Sequence, residues 1–239
     1  MIIDVLTQFG VWPRRTIDIS SSTLGRLMDD NGVDKACTIS ARGIFYDFIA
    51  GNTETLALCG GDNRFIPVAT LNPSVYLGCY DEAKNCIDRG FKIFRFFPSI
   101  QEWSIDGLVF GKIMDILSET NAVLMVPASE GFRKIVNILG GVNNPVIITF
   151  FRYSHLGEAI EAIRKYPNIY IETHMINSPD YLDVLEKEVG LDKVIYGSNA
   201  PLSYMAASMK QITHSELSEA GKEKVLGQNL EEILKGVLV

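Results

Sequence analysis

Eight short apolar runs, each rich in β-branched or aromatic residues, recur along the chain and alternate with helical patterns. We interpret the runs as strands at residues 2–5, 35–40, 65–71, 91–97, 122–126, 145–150, 168–173 and 192–197. They are continuously apolar, which is typical of strands buried on both faces of a parallel sheet. Helical periodicity lies between them, as where Ile105, Leu108, Ile113 and Ile116 share one face.

Eight strands that alternate with helices predict parallel pairing through right-handed crossovers. The 239 residues are close to the roughly 250 that are typical of a (β/α)8 barrel. A doubly wound open sheet is the alternative, but no G-x-G-x-x-G motif follows the first strand, and eight strands close a barrel. No linker or shift in composition divides the chain. We therefore predict a single-domain (β/α)8 TIM barrel over residues 1–239.

Composition and charge narrow the class of partner. The formal net charge is −7 and no basic cluster stands out, which argues against nucleic acid. No apolar run approaches the roughly 20 residues that a membrane span needs, and the first ten residues lack the features of a signal peptide. We expect a cytoplasmic protein, with a homo-oligomer left open. The four scattered cysteines form no C-x-x-C pair, which predicts reduced thiols.

Six segments carry a resemblance to a known family. The first covers residues 2–10, and the other five cover residues 64–68 with 71–73, 90–95, 145–150, 193–201 and 227–234. In order and spacing, they resemble the amidohydrolase-related family of TIM-barrel hydrolases and decarboxylases. The resemblance covers essentially the whole chain and implies the barrel fold and a hydrolase or lyase activity.

The positions that bind metal in that family differ in this chain. The resemblance places Leu6 and Gln8 where the family has the two histidines of Asp-x-His-x-His. It places Phe150 at the strand-six histidine and Asn199 at the strand-eight aspartate. Divalent metals need imidazole, carboxylate or thiolate ligands, and an asparagine cannot act as a general base near neutral pH. We therefore expect no bound metal and no other cofactor.

Two candidate catalytic residues lie at strand ends, where barrel enzymes place their functional groups. Arg95 lies within an apolar run, so its charge requires an anion; we expect it to hold a substrate carboxylate or phosphate. The alternative is an internal salt bridge to Glu172 or Asp4. His174 ends strand seven and is a candidate acid or base, or else a histidine satisfied by the backbone.

Three further residues are candidate substrate contacts. Arg152, with His155 nearby, follows strand six and could help to bind an anion near a helix N-terminus; an ordinary solvated loop is the alternative. Gln8 and Asn199 become neighbours when strand eight pairs with strand one. Their amides either hydrogen-bond each other or contact a ligand.

Three functions from different classes follow from these residues. The first is a hydrolase or lyase that acts without metal on a small carboxylated or cyclic molecule, so that the expected partner is a small anion. The second is a catalytically silent barrel that binds a metabolite or a partner protein. The third is an intact metal-dependent hydrolase whose ligands lie elsewhere in the sequence.

Overall fold

The computed structural model of the chain describes residues 1–237. Eight strands pair in chain order within one sheet, and every neighbouring pair from the first to the eighth is parallel. The strands are β1 Ile3–Phe9, β2 Lys35–Ser40, β3 Phe65–Ala69, β4 Ile93–Arg95, β5 Val123–Pro127, β6 Val146–Thr149, β7 Ile169–Glu172 and β8 Val194–Ile195.

The sheet closes on itself where the chain beyond β8 meets β1. The Val5 amide donates to the Tyr196 carbonyl at 3.1 Å, and the Gln8 amide donates to the Ala200 carbonyl at 3.2 Å. Thr7 also bridges Ala200 in parallel orientation. These contacts complete a ring of eight strands, so the predicted (β/α)8 TIM barrel is confirmed.

Helices follow the strands around the outside of the ring. They are α1 Ser21–Asn31, α2 Ala41–Phe45, α3 Phe48–Gly61, α4 Cys79–Asp88, α5 Pro98–Gln101, α6 Leu108–Leu117, α7 Phe132–Leu139, α8 Leu156–Lys165, α9 Tyr181–Val189, α10 Met205–Thr213, α11 Glu219–Glu223 and α12 Asn229–Lys235. A π-helical turn, Lys224–Gln228, joins the last two, and 3-10 turns occur at Ala128–Glu130 and Tyr153–His155.

Strand residues alternate between two apolar clusters, as expected when successive side chains point to opposite faces. Phe94, Leu124 and Ile148 belong to the larger cluster, which includes buried residues of the surrounding helices. Ile93 and Ile147, together with Met125 and Ile195, belong to the smaller cluster. The side chains of the second set therefore point into the barrel. Inward side chains at the carboxyl ends of the eight strands form the rim that we call the barrel mouth.

Two further observations bear on the sequence predictions. The four cysteines form no disulfide; Cys37, Cys79 and Cys86 are buried and Cys59 is half-buried. Desolvation raises the pKa of Cys79 to about 11 and that of Cys59 to about 12, so these thiols stay protonated near neutral pH. Among residues 1–237, no helix combines the length and the apolar character required to cross a membrane.

Candidate functional site at the barrel mouth

A cavity of about 390 Å³ lies at the barrel mouth, within the size range of small-molecule sites. Its walls come from five parts of the ring: Trp12 after β1, Arg95 at the end of β4, Pro127 at the end of β5, Thr149 at the end of β6, and Asn199 after β8. The lining residues that the structure describes include no Asp, Glu, His or Cys. The cavity is therefore apolar and cationic.

Arg95 supplies the buried charge of this cavity. The residue is only 3% exposed, yet its guanidinium forms no ion pair with the carboxylates of residues 1–237. Its guanidinium carbon lies 4.9 Å from the ring centre of Phe97 and 5.7 Å from that of Phe150. Burial lowers the pKa of Arg95 to about 10, while Glu172 and Asp4 act to raise it, so the side chain remains cationic near neutral pH.

Gln8 contacts the Arg95 guanidinium from a position outside the cavity lining. The Gln8 carboxamide oxygen accepts a hydrogen bond from Arg95 Nη1 at 3.2 Å. Its Nε2 donates to the backbone carbonyls of Asn199 and Ala200 at 2.9 and 3.0 Å. Gln8 is fully buried and lies outside the cavity lining, so the structure gives it an orienting position behind the guanidinium.

Asn199 and Thr149 each present an oxygen without a protein partner. Asn199 adopts a left-handed backbone with φ 58°, and its Nδ2 donates to Ser203 Oγ at 3.2 Å. Its Oδ1 accepts no hydrogen bond, and Thr149 Oγ1 also has no partner. Since buried polar atoms are normally satisfied, these two cavity residues are suited to contact a polar ligand. The amides of Gln8 and Asn199 do not hydrogen-bond each other, because the Gln8 amide group binds the Asn199 backbone instead.

His174 lies behind the ring of Phe150. Glu172 fixes it: the carboxylate accepts from the His174 backbone amide and lies 3.3 Å from His174 Nδ1. Glu172 also accepts from the Phe150 amide at 3.3 Å. The His174 ring meets the Phe150 ring edge-on, with centres 5.0 Å apart, and its side chain is 5% exposed. The structure therefore does not place the predicted acid–base residue on the wall of the Arg95 cavity.

Arg152 belongs to a second depression on the other side of Phe150. This depression measures about 520 Å³ and is also lined by His155 and Met175. Arg152 is exposed, and its backbone amide donates to His155 Nδ1 at 3.5 Å. Phe150 and Ser129 line both spaces and form the wall between them, so the structure does not bring Arg152 and Arg95 into one site.

Sequence reasoning missed several cavity residues, of which Thr149 and Arg15 matter most for binding. Thr149 immediately precedes Phe150, the residue that the resemblance singles out at this strand end. On a strand, side chains of neighbouring residues point to opposite faces. Ile147 on β6 points into the barrel, so Thr149, two residues later, points the same way. Arg15 lies in the loop after β1 and lines the cavity. The sequence feature that could have indicated it is the pair Arg14-Arg15 in this loop at the barrel mouth.

The donor set at the mouth does not fit a divalent metal. Leu6 and Phe150 offer no lone pair, and the Gln8 oxygen faces a guanidinium. The buried Asp4 carboxylate is occupied by the amides of Leu6 and Ser198 and by the Ser198 hydroxyl. In the part of the chain that the structure describes, no three His, Cys, Asp or Glu residues converge closely enough to hold an ion.

Comparisons with known proteins agree with the barrel. Among solved structures, 5-carboxyvanillate decarboxylase from Sphingomonas paucimobilis is similar, with a TM-score of 0.76, 15% identity and 98% of each chain covered. The 2,6-dihydroxybenzoate decarboxylase from Rhizobium gives a TM-score of 0.77 at 14% identity, again with 98% of each chain covered. A dihydroxybenzoic acid decarboxylase from Polaromonas, solved with manganese and the inhibitor 2-nitroresorcinol, gives 0.68 at 15% identity, over 98% of this chain and 96% of that one.

Sequence comparison assigns the family. No curated protein matches the chain by sequence. The sequence pattern of the amidohydrolase family matches residues 50–235, which span α3 to α12 and six of the eight strands, β3 to β8. The chain therefore belongs to the amidohydrolase family.

Proposed function

We propose that this protein is a hydrolase or lyase whose substrate is a small cyclic carboxylate held by Arg95, and that it works without a divalent metal. The observation that carries the proposal is a buried, unpaired guanidinium in the wall of a mostly apolar cavity. A charge in such a place is unfavourable unless an anion accompanies it. A carboxylate satisfies the guanidinium in a planar, two-pronged geometry.

The rest of the cavity suits a flat ring that carries the carboxylate. Phe97 and Phe150 lie beside the guanidinium and can pack against an aromatic or other cyclic body. The unpartnered oxygens of Asn199 and Thr149 suit a hydroxyl or N–H substituent on that ring. The similar solved structures include decarboxylases named for carboxyvanillate and dihydroxybenzoate, and these names support the same substrate class.

Turnover would require His174 to transfer a proton. Decarboxylation replaces a carbon–carboxylate bond by a carbon–hydrogen bond, and hydrolysis needs an activated water; either step requires an acid or a base. In the proposal His174 takes this role, with Glu172 orienting its ring through Nδ1. Because Phe150 separates His174 from the cavity, the role requires this aromatic ring to rotate aside.

A second candidate function is binding of the carboxylate without turnover. It is favoured by the composition of the cavity wall, whose described residues include no carboxylate, imidazole or thiol. The two functions share the Arg95 site and differ only in whether a proton-transfer group reaches it.

Calorimetric titration with benzoate and 2-hydroxybenzoate tests the shared site. The wild type is compared with Arg95→Met and with the matched control Arg89→Met, since Arg89 is half-buried at the end of α4 and does not line the cavity. We expect Arg95→Met to weaken binding at least about tenfold, the loss of a charge-assisted hydrogen bond. Arg89→Met should bind like the wild type. Equal binding by the Arg95 variant would contradict the proposal.

Chromatography of the bound acids then separates the two functions. Loss of the acid in the wild type, and its persistence with His174→Gln, supports the lyase or hydrolase; persistence with both supports the binding protein. Elemental analysis of the purified protein tests the metal-free claim, because one tightly bound equivalent of zinc or manganese would overturn it.

A further inference from the structure

Arg15 places a second positive charge in the cavity that contains Arg95. It lies in the loop after β1 and lines the cavity together with Leu202. Its Nη1 donates to the Leu202 carbonyl at 3.1 Å, which directs the side chain to this rim. A guanidinium has several N–H donors, so this one bond leaves most of them available.

Neither of the two cavity arginines has an acidic partner. Arg15 makes no ion pair with the carboxylates of residues 1–237, and its one side-chain hydrogen bond there goes to a neutral carbonyl. Arg95 bonds only the neutral Gln8 within the same residues. The chain as a whole carries a formal charge of −7, so the positive charge of this cavity is opposite in sign to the net charge of the protein.

The two charges differ in depth. Arg95 is buried at the end of β4, whereas Arg15 is exposed at the rim. A ligand that satisfies both must present one acidic group to the inner wall and another toward solvent. A cyclic body between two acidic groups fits this arrangement, because the cavity that both arginines line also has Trp12 and Phe97 in its wall.

We propose that Arg15 is a specificity-determining residue that selects ligands with two acidic groups, so that the cavity prefers a cyclic dicarboxylate to the corresponding monocarboxylate. This inference rests on the proposed function, since Arg95 must hold the first carboxylate. Arg15 then binds the second one, and opposite charges across a cavity increase both affinity and selectivity.

Calorimetry with four simple acids tests the proposal. Benzoate is the monocarboxylate, and phthalate, isophthalate and terephthalate present the second carboxylate at three different spacings. Each is titrated into the wild type, Arg15→Gln and Arg14→Gln. Arg14 is the matched control because it is the neighbouring arginine, lies over the Phe45 ring and does not line this cavity; its substitution removes the same charge from the same loop.

We expect the wild type to bind at least one dicarboxylate about tenfold more tightly than benzoate, which corresponds to one added charge-assisted hydrogen bond. Arg15→Gln should remove this preference by weakening dicarboxylate binding more than benzoate binding, while Arg14→Gln should keep it. A preference that survives in Arg15→Gln, or disappears equally in Arg14→Gln, would overturn the role of Arg15.

An Arg95→Met arm separates this outcome from failure of the proposed function. If benzoate binds and Arg95→Met abolishes its binding, the carboxylate site stands, and the dicarboxylate ratio alone decides the role of Arg15. If Arg95→Met binds benzoate like the wild type, or if none of the four acids binds the wild type, the proposed carboxylate site itself is wrong.

Discussion

The Arg95 guanidinium on β4 donates a hydrogen bond of 3.2 Å to the carboxamide oxygen of Gln8 on β1. Two strands, β2 and β3, separate β4 from β1 in the ring, so this bond crosses the barrel interior. At its other end, the Gln8 amide group reaches the segment after β8 through the carbonyls of Asn199 and Ala200. One neutral side chain thus links the ligand-facing cation to the seam that closes the barrel.

Replacing Gln8 with leucine should destabilise the fold. The substitution leaves the buried Arg95 guanidinium without its hydrogen-bond acceptor, and an unsatisfied buried group costs about 1–3 kcal/mol. It also removes two hydrogen bonds to the Asn199 and Ala200 carbonyls, although both carbonyls keep backbone donors. We expect the free energy of unfolding to fall by about 2–4 kcal/mol in denaturant titrations. Gln228→Leu is the matched control, because Gln228 is exposed and should change little. Equal effects of the two substitutions would show that the interior bonds contribute nothing.

Asp4 should make stability depend on pH. Burial raises the pKa of Asp4 from 3.8 to about 7, against the lowering effect of hydrogen bonds from Ser198 and Leu6. A folded pKa above the unfolded one means that the fold disfavours ionisation. The penalty is therefore absent below about pH 4 and complete above about pH 7.

The variant Asp4→Asn isolates this effect. As pH rises from 4 to 7, we expect the wild type to lose stability relative to the variant, by up to about 1.4 kcal/mol per pH unit. Chemical denaturation across this range gives the difference directly. Asp18→Asn is the control: hydrogen bonds from Thr23 and Ser20 lower the pKa of Asp18 to about 2, so its difference should stay flat. A flat difference for Asp4→Asn as well would refute the prediction.

Two buried threonines should respond in opposite ways to replacement by valine. Thr149 Oγ1 has no protein partner, whereas Thr7 Oγ1 donates to the Cys37 carbonyl at 2.9 Å; both residues are 1% exposed. Thr7→Val should lower the free energy of unfolding by about 1 kcal/mol, because a hydrogen bond is lost. Thr149→Val should leave stability unchanged or raise it, since no protein contact disappears.

The same Thr149→Val variant reports on the cavity. If Thr149 contacts a ring substituent, the variant should weaken binding of 2-hydroxybenzoate more than binding of benzoate in calorimetric titrations. Parallel changes in both affinities would place the threonine outside the ligand contact.

The strands could largely be predicted from the sequence because each one carries a buried apolar run. β1 is the exception: its predicted end is residue 5, whereas the strand continues to Phe9. The added part contains Thr7 and Gln8, which are fully enclosed although they are polar, because their partners lie on β2 and beyond β8. Such long-range hydrogen bonds leave no local pattern.

The site was less accessible to sequence reasoning. The apolar run around Arg95 correctly indicated a buried guanidinium, and its position in a strand indicated the barrel mouth. The shielding of His174 depends on the Phe150 ring and on a Glu172 carboxylate that binds two backbone amides. Arg152 follows β6 at the right distance for the mouth, but the chain carries it to the far side of the Phe150 wall. Neither the shielding of His174 nor the position of Arg152 can be predicted from the spacing of residues in the sequence.

Phe150 lies between two spaces at the barrel mouth. Its backbone is left-handed, with φ 55°, a conformation that favours glycine or asparagine over an aromatic residue. A glycine at this position would therefore relax the backbone, and the loss of the ring would widen the opening between the two spaces. Variants of this chain that differ at this single position would keep the fold and Arg95 and should differ in the length of the molecule that they accept.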